Sequence, residues 1–512
     1  MRRDMTRRDF GLAAGAAAAA LSLGGPASAE GQVAGGGQVA RGGQVIGEGL
    51  VTADITWTSD DPHLSGNFAS IGPEIEARDL PVIFGRIPPE LSGAYMRNGP
   101  NPLFKPLSYF YPMDGDGMIH AVYLDNGKAR YRNRFVATAS LAVEKRANQA
   151  VYGSFAHPVP VDPTLLRPGD NPGPFKNGAF INILQHGGHL LALNEATTCY
   201  EMTMELDTIG EWTAGTGAPI SLGAHNRKHP RTGSLFALAY TWRNPVVQFH
   251  EIDASAKLVR SFSLTMSEPT MIHDFILTER YIVLVAGPVV FDVQAAQSGQ
   301  SMLQWRPSMG TRIAVVPLDG GDPVWLQADP FFVFHFANGF ERGGDIVIDY
   351  VRHHDFGGPA GTTPLHRLEI DLASRRIRDT ALAALTVEFP RINEAREALR
   401  SRYVYVPTLS DSLRIPSPPS ATFNTLLKVD TETGESARHD FGNHIVGEAV
   451  FVPRGGQGED DGYLAIFSYD PVAQTSDFVL LDAARVDSEP VAVVRLPQRV
   501  PQGLHGNWIP RS

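Results

Sequence analysis

The chain is poor in the residues that cross-link a fold or give it positive charge. Its 512 residues include one cysteine, Cys199. An internal disulfide is therefore excluded, as is a zinc–thiolate site built from one chain. Only seven of the 44 basic residues are lysines, and 55 acidic residues leave a net charge of −11. An acidic chain lacks the basic footprint of sequence-independent nucleic-acid binding, so no nucleic-acid partner is expected. No Walker-type phosphate loop, no His-Glu-x-x-His helix and no Gly-x-Ser-x-Gly elbow occurs. Nucleotide chemistry, zincin proteolysis and the α/β-hydrolase triad thus have no anchor. A long apolar run is missing too. The stretch Gly11 to Gly25 is broken by glycine and falls short of the roughly 20 residues that span a bilayer.

What is present points to a large β-rich fold. Hydrophobic residues make up 43% of the chain, enough for a sizeable core, and there are 51 glycines and 38 prolines. Together these two exceed their usual share of about 12% and imply many turns. Short apolar runs recur between Gly, Pro, Asp or Asn. Examples are His189–Leu193, Ser234–Tyr240, Tyr281–Val285, Thr311–Pro317, Asp345–Asp349, Ser401–Val406, Gly462–Phe467 and Pro490–Arg495. Runs of this length with such boundaries predict strands. The best helical window is 139–151. No repeat of about 40 residues is evident. Many short strands in one long domain favour a β-propeller over a sandwich, which is usually smaller. The Pro-rich Ile415 to Pro419 segment reads as a surface loop.

The N-terminus reads as an address. Thr6-Arg7-Arg8-Asp9-Phe10 is a twin-arginine pattern, followed by a weakly apolar run and Ala27-Ser28-Ala29, a small-residue cleavage site. Residues 1–29 are expected to be a Tat export signal, and the destination periplasmic or extracellular. Residues 30–53, with their repeated Gly-Gly-Gln-Val, are expected to be a flexible leader. A single domain over 54–512 follows.

Sixteen histidines leave room for metal chemistry. Four lie where a loop meets an apolar strand: His225, His273, His335 and His505. Their separations of 48, 62 and 170 residues mean that a shared site would draw on the whole fold. A propeller allows this, because its inner strands face one axis. A lone histidine is more often structural, so spacing alone leaves a metal unproved.

Ordered motifs along nearly the whole chain supply the rest. They are Gly93-Ala-Tyr-Met-Arg-Asn-Gly-Pro-Asn-Pro102, Asp114-Gly-Asp-Gly-Met-Ile-His120, Glu388 with Phe389-Pro-Arg-Ile-Asn393, Gly447-Glu-Ala-Val-Phe-Val-Pro-Arg454, and Glu459-Asp-Asp-Gly-Tyr463. They resemble the carotenoid cleavage oxygenases, a family that includes the retinal pigment epithelium isomerase and bacterial stilbene-cleaving dioxygenases. The resemblance implies an all-β, seven-bladed propeller under a helical and loop cap, with one Fe(II) on the axis and O₂ as co-substrate. It places the four iron ligands on His225, His273, His335 and His505. The first departs from the family's usual Ala-His-Pro-Lys, reading Ala224-His225-Asn226-Arg227, and His229-Pro230 is a rival. Only His225 aligns the following Thr232-Gly233 without a gap. The resemblance adds three glutamates, Glu195, Glu388 and Glu448, that accept a hydrogen bond from the remote nitrogens of His273, His335 and His505. Such a bond fixes tautomer and ring direction. His120, Asp114 and Asp116 read as parts of a structural turn.

The implied reaction is oxidative cleavage of a conjugated C=C bond into two carbonyl products. In the stilbene-cleaving branch a lysine meets the substrate phenolate. Its position here is Ala142, with Lys145 three residues on. An apolar carotenoid or apocarotenoid is therefore the expected substrate, with Phe331 to Phe334 as a candidate tunnel wall. Stilbene cleavage and an inactive propeller that binds an apolar ligand are the alternatives. Peripheral membrane contact through an apolar patch at the tunnel mouth is compatible with such a substrate.

Overall fold

The structure, a computed structural model, describes residues 51–356, 362–415 and 418–511. The expected signal 1–29 and nearly all of the leader 30–53 lie outside the described residues. So does part of the Pro-rich segment after Ile415. Val51 is already tied in. Its N–H donates to Glu74 Oε2 at 2.6 Å, and its carbonyl accepts from Glu74 N.

Seven antiparallel sheets form the blades of a propeller. Blade 2 contains Asn182–His186, His189–Leu193, Tyr200–Met202 and Thr208–Glu211. Blade 3 contains Asn226–Lys228, Leu235–Tyr240, Val246–Ile252 and Leu258–Thr265. Blade 4 contains Ile276–Leu277, Tyr281–Ala286, Thr311–Pro317 and Val324–Ala328. Blade 5 contains Phe336–Arg342, Asp345–Val351, Leu365–Asp371 and Arg376–Ala383. Blade 6 has Tyr403–Thr408, Thr425–Asp430 and Ser436–Asp440, and its inner position is taken by the segment bridged at Arg391 to Tyr405.

The ring is closed twice by sequence-distant strands. In blade 1 the C-terminal Gly506–Pro510 pairs with Gly93–Arg97, so the last strand of the chain is innermost beside one of the first. In blade 7 the N-terminal Val82–Gly85 is the outer strand against Ala492–Arg495. Each closure ties one terminus into a sheet built by the other, which protects edges that would otherwise be free.

Local sequence accounts for the strands. Asn126-Gly127 turns Asp125 back onto Lys128 with both residues at positive φ. Gly343-Gly344 does the same between Arg342 and Asp345. This is the two-residue hairpin geometry that matches strand twist. Blades are covered on both faces by their neighbours, so a central strand can be apolar throughout. Every residue of Leu235–Tyr240 is buried. The core lies in the wedges between blades, where Tyr95, Tyr131, Tyr350 and Tyr405 are buried outright.

The expected helix forms over Ala139–Ala147 and stops four residues early. Thr138 caps its start, and Asn148 ends it in the left-handed conformation at φ 52°, a conformation Asn tolerates better than most residues. The cap over the axis is mostly loop, with this helix and the short Val293–Gln297 as its α-helical pieces among the described residues.

Candidate metal centre

Inner strands begin at the capped end of the axis, and the four histidines occupy those beginnings. His225 immediately precedes the inner strand of blade 3, His335 that of blade 5 and His505 that of blade 1. His273 stands three residues before the inner strand of blade 4. Each strand therefore aims its histidine at the same point. The four ligand-capable nitrogens lie within 4.8 Å of one another. The ring centroids of His225 and His505 are 4.6 Å apart, and those of His335 and His505 are 4.7 Å apart. Blades 2, 6 and 7 supply Glu195, Glu388 and Glu448 in their turn. Every blade thus contributes one residue, four imidazoles and three carboxylates.

The carboxylates meet the remote nitrogens. Glu195 Oε2 lies 2.8 Å from His273 Nδ1. Glu388 Oε2 lies 2.5 Å from His335 Nδ1. Glu448 Oε1 lies 2.8 Å from His505 Nδ1. All seven residues named from the sequence come together. Among the described residues no carboxylate pairs with His225.

Burial and neighbouring charges act differently on the members of this set. Burial, then the other three histidines, holds His225 well below the ordinary imidazole range. Burial also lowers His335. Burial pulls His273 down as well, but Glu195, with Asp274 and Glu388 behind it, more than offsets this and raises it. Burial would raise Glu448, yet Arg391 and His505 bring it down to about 2. Glu388 is held low in the same way by His335 and His353.

The residues fit a metal. His335 Nε2 is buried and has no hydrogen-bond partner, although burying such an atom unpaired is costly. His225 Nε2 faces His273 Nε2 at 3.1 Å. Nitrogens about 2.1 Å from a shared ion would sit about 3–4 Å apart, so the four need only slight closure. The rival His229 is elsewhere. Its Nε2 lies 3.0 Å from the Glu279 carbonyl, and its Nδ1 accepts from the amides of Arg231 and Thr232.

The turn residues are structural. His120 Nδ1 lies 2.7 Å from the Tyr131 hydroxyl. Asp114 accepts from the amides of Phe110 and Phe155, and burial raises its carboxyl to about 7. Asp116 accepts from Leu103 N and pairs with Lys176.

Sequence reasoning missed the second partner of each glutamate. The Tyr240 hydroxyl donates to Glu195 at 2.6 Å. His353 Nε2 lies 2.7 Å from Glu388 Oε1. Arg391 lies 3.1 Å from Glu448 Oε2. No local pattern marks Tyr240 or His353, and Arg391 fills the variable position of the Glu388 to Asn393 motif. The Phe331 to Phe334 run divides: Phe331 packs on Tyr350 inside the propeller, whereas Phe334 is half-buried with its ring edge-on to His273 at 5.3 Å.

Two cavities approach the centre. One, of about 410 Å³ on the capped side, is lined by Glu195, Tyr240, Phe155, Phe175, Trp242 and Lys176 among others. The other, of about 480 Å³, runs between inner strands and is bordered by His225, His335 and His505.

A propeller with four imidazoles on its axis defines a metal-site scaffold, and comparison with known proteins gives it a family. The retinal pigment epithelial membrane protein family matches residues 68–510. A carotenoid cleavage oxygenase of Mycobacterium tuberculosis is 33% identical, covering 89% of this chain and 98% of its own length. The lignostilbene dioxygenase of Pseudomonas brassicacearum superposes with a TM-score of 0.81 at 27% identity, covering 88% of this chain and 99% of its own. Cobalt-substituted apocarotenoid oxygenase from Synechocystis gives a TM-score of 0.76 at 28% identity with the same coverage. This chain belongs to the retinal pigment epithelial membrane protein family, the family of the carotenoid cleavage oxygenases.

Proposed function

We propose that the protein is an Fe(II)-dependent dioxygenase that cleaves a conjugated C=C bond of a carotenoid or apocarotenoid with O₂, releasing two aldehyde or ketone products. One observation carries this reading: four imidazoles converge on the propeller axis with three of them backed by carboxylates. His225, His273, His335 and His505 would hold the ion. Neutral nitrogen ligands leave its full charge uncompensated, and four protein ligands leave two positions of a six-coordinate ion open. Iron held there would supply the O₂ chemistry that no side chain offers. Glu195, Glu388 and Glu448 orient three rings by accepting their Nδ1 protons, so that each Nε2 lone pair points inward. Phe334 and the aromatic lining of the capped cavity hold the apolar chain of the substrate beside the centre and keep water from it. The names of the relatives support double-bond cleavage by oxygen.

The charge of the capped cavity supports a neutral substrate. Lys176 reaches that cavity, but its Nζ sits 2.6 Å from Asp116 and 2.5 Å from Glu144. That ammonium is already paired with two carboxylates, so it is not free to meet a phenolate. Aerobic incubation under ¹⁸O₂ with carotenoids, apocarotenals and 4-hydroxystilbenes, read by product mass, tests the assignment. Labelled carbonyls from a polyene are expected, with kcat/KM for the phenolic stilbene lower by at least about tenfold. Cleavage of stilbenes alone would overturn the carotenoid reading.

We also propose export by the Tat route and contact with membrane surfaces. The twin-arginine segment supports the first. Exposed Leu107, Val159 and Val293 on cap segments support the second. Among the described residues no helix is long and apolar enough to cross a membrane. A mature chain starting at Glu30 outside the cytoplasm, sedimenting with lipid vesicles, is expected. An uncut cytoplasmic chain would contradict export, and a chain left behind by vesicles would contradict surface contact.

A further inference from the structure

We propose that His353 is a positioning residue of the metal centre: it clamps the free oxygen of Glu388, and through Glu388 it fixes the His335 ring. The proposal rests on the metal-centre reading above.

Glu388 is gripped on both oxygens. Its Oε2 faces His335 Nδ1 at 2.5 Å and accepts from Phe389 N at 2.6 Å, while its Oε1 faces His353 Nε2 at 2.7 Å. A carboxylate between two imidazoles can only accept. Both facing nitrogens are then N–H donors, which leaves His335 Nε2 as a bare lone pair. That is the buried, unpartnered atom aimed at the other three histidines. His353 therefore helps to set the tautomer of His335.

His353 is itself rigidly placed. Its amide donates to the Phe332 carbonyl and its carbonyl accepts from the Phe332 amide, both at 2.9 Å. Its ring meets Phe334 edge to face at 5.1 Å, and the same Phe334 ring packs on His273 at 5.3 Å. One histidine thus touches the surroundings of two ligands, by a carboxylate and by a phenyl ring. Removing it leaves Glu388 Oε1 without that donor and lets the carboxylate rotate away from His335. Tyr240 and Arg391 brace the other two glutamates, so the carboxylate clamp of His353 acts on His335 alone.

The experiment loads full-length apoprotein with Co(II) alone and records stoichiometry, visible d–d absorption and the rate of release to a chelator. His353→Leu removes the donor. His353→Gln returns an N–H near the position of Nε2. His353→Leu is expected to release cobalt about 10–100-fold faster, with shifted d–d bands, while His353→Gln stays close to wild type. The apoproteins of both variants are expected to melt together. Wild-type release and unchanged bands in His353→Leu would overturn the proposal. Equal acceleration in both variants would also overturn it, because lost ring packing would then be the cause. A wild-type chain that takes up no cobalt would sink the metal centre itself, a failure visible before any variant is compared.

Discussion

Replacing His335 by alanine is expected to lower polyene cleavage by at least about a thousandfold, some 4 kcal/mol of barrier, and to abolish stoichiometric metal binding. The side chain offers an imidazole nitrogen that is buried without a hydrogen-bond partner. Alanine removes that ligand and leaves three nitrogens whose geometry was set for four. The fold should survive. His335 belongs to no large apolar cluster, its backbone pairing with Val351 is independent of the ring, and Glu388 keeps His353 as a partner. Metal content together with the melting temperature of the apoprotein separates the two possibilities. A well-folded, metal-free, inactive variant is the expected outcome. A variant that keeps one metal per chain and wild-type turnover would remove His335 from the site.

Glu448→Leu should damage both metal binding and stability. Glu448 is 1% exposed in its side chain. It lies 2.8 Å from His505 Nδ1, accepts from Gly506 N at 2.9 Å and pairs with Arg391 at 3.1 Å. Leucine fills the volume but takes a buried carboxylate from Arg391, which keeps Glu394, Asn507 and the Gly506 carbonyl as partners. Losing one buried hydrogen bond to a charged group costs about 1.5–3 kcal/mol. Losing the partner of a ligating histidine weakens metal binding about 10–100-fold. The pH dependence gives the loss a signature. The Glu448 carboxyl is depressed from 4.5 to about 2, so its contribution is fully present above pH 4.5 and disappears as the pH falls toward 2. The stability gap between wild type and Glu448→Leu, measured by denaturant unfolding of apoprotein, should therefore narrow on acidification from pH 7 to pH 3. A gap that stays constant would place the effect in packing instead of charge.

The fold was legible where sequence and local physics agree. Runs such as Leu235–Tyr240 and Thr311–Pro317 are strands because blade neighbours bury both faces, so continuous apolar character survives in the sequence. The seven site residues were legible only with the family motifs around them. His225 and His229 sit four residues apart, and nothing in their composition says which faces the axis. What decides it is placement. His225 ends at the head of an inner strand, while His229 lies past its foot, capping a turn. The second partners stayed hidden for a related reason. Tyr240, His353 and Arg391 meet their glutamates across 45, 35 and 57 residues of chain, and such pairings depend on how blades abut. The helix at 139–147 ended early because Asn148 turns left-handed. An apolar period carries no information about that turn.

In the proposed function, imidazoles from blades 1, 3, 4 and 5 bind one metal ion between them. X-ray absorption at the iron edge on anaerobically Fe(II)-loaded protein tests it most directly. One iron per chain with four imidazole nitrogens in its first coordination sphere is the predicted result. An iron sphere holding two or fewer imidazoles, or completed by carboxylate from Glu195, Glu388 or Glu448, would contradict it.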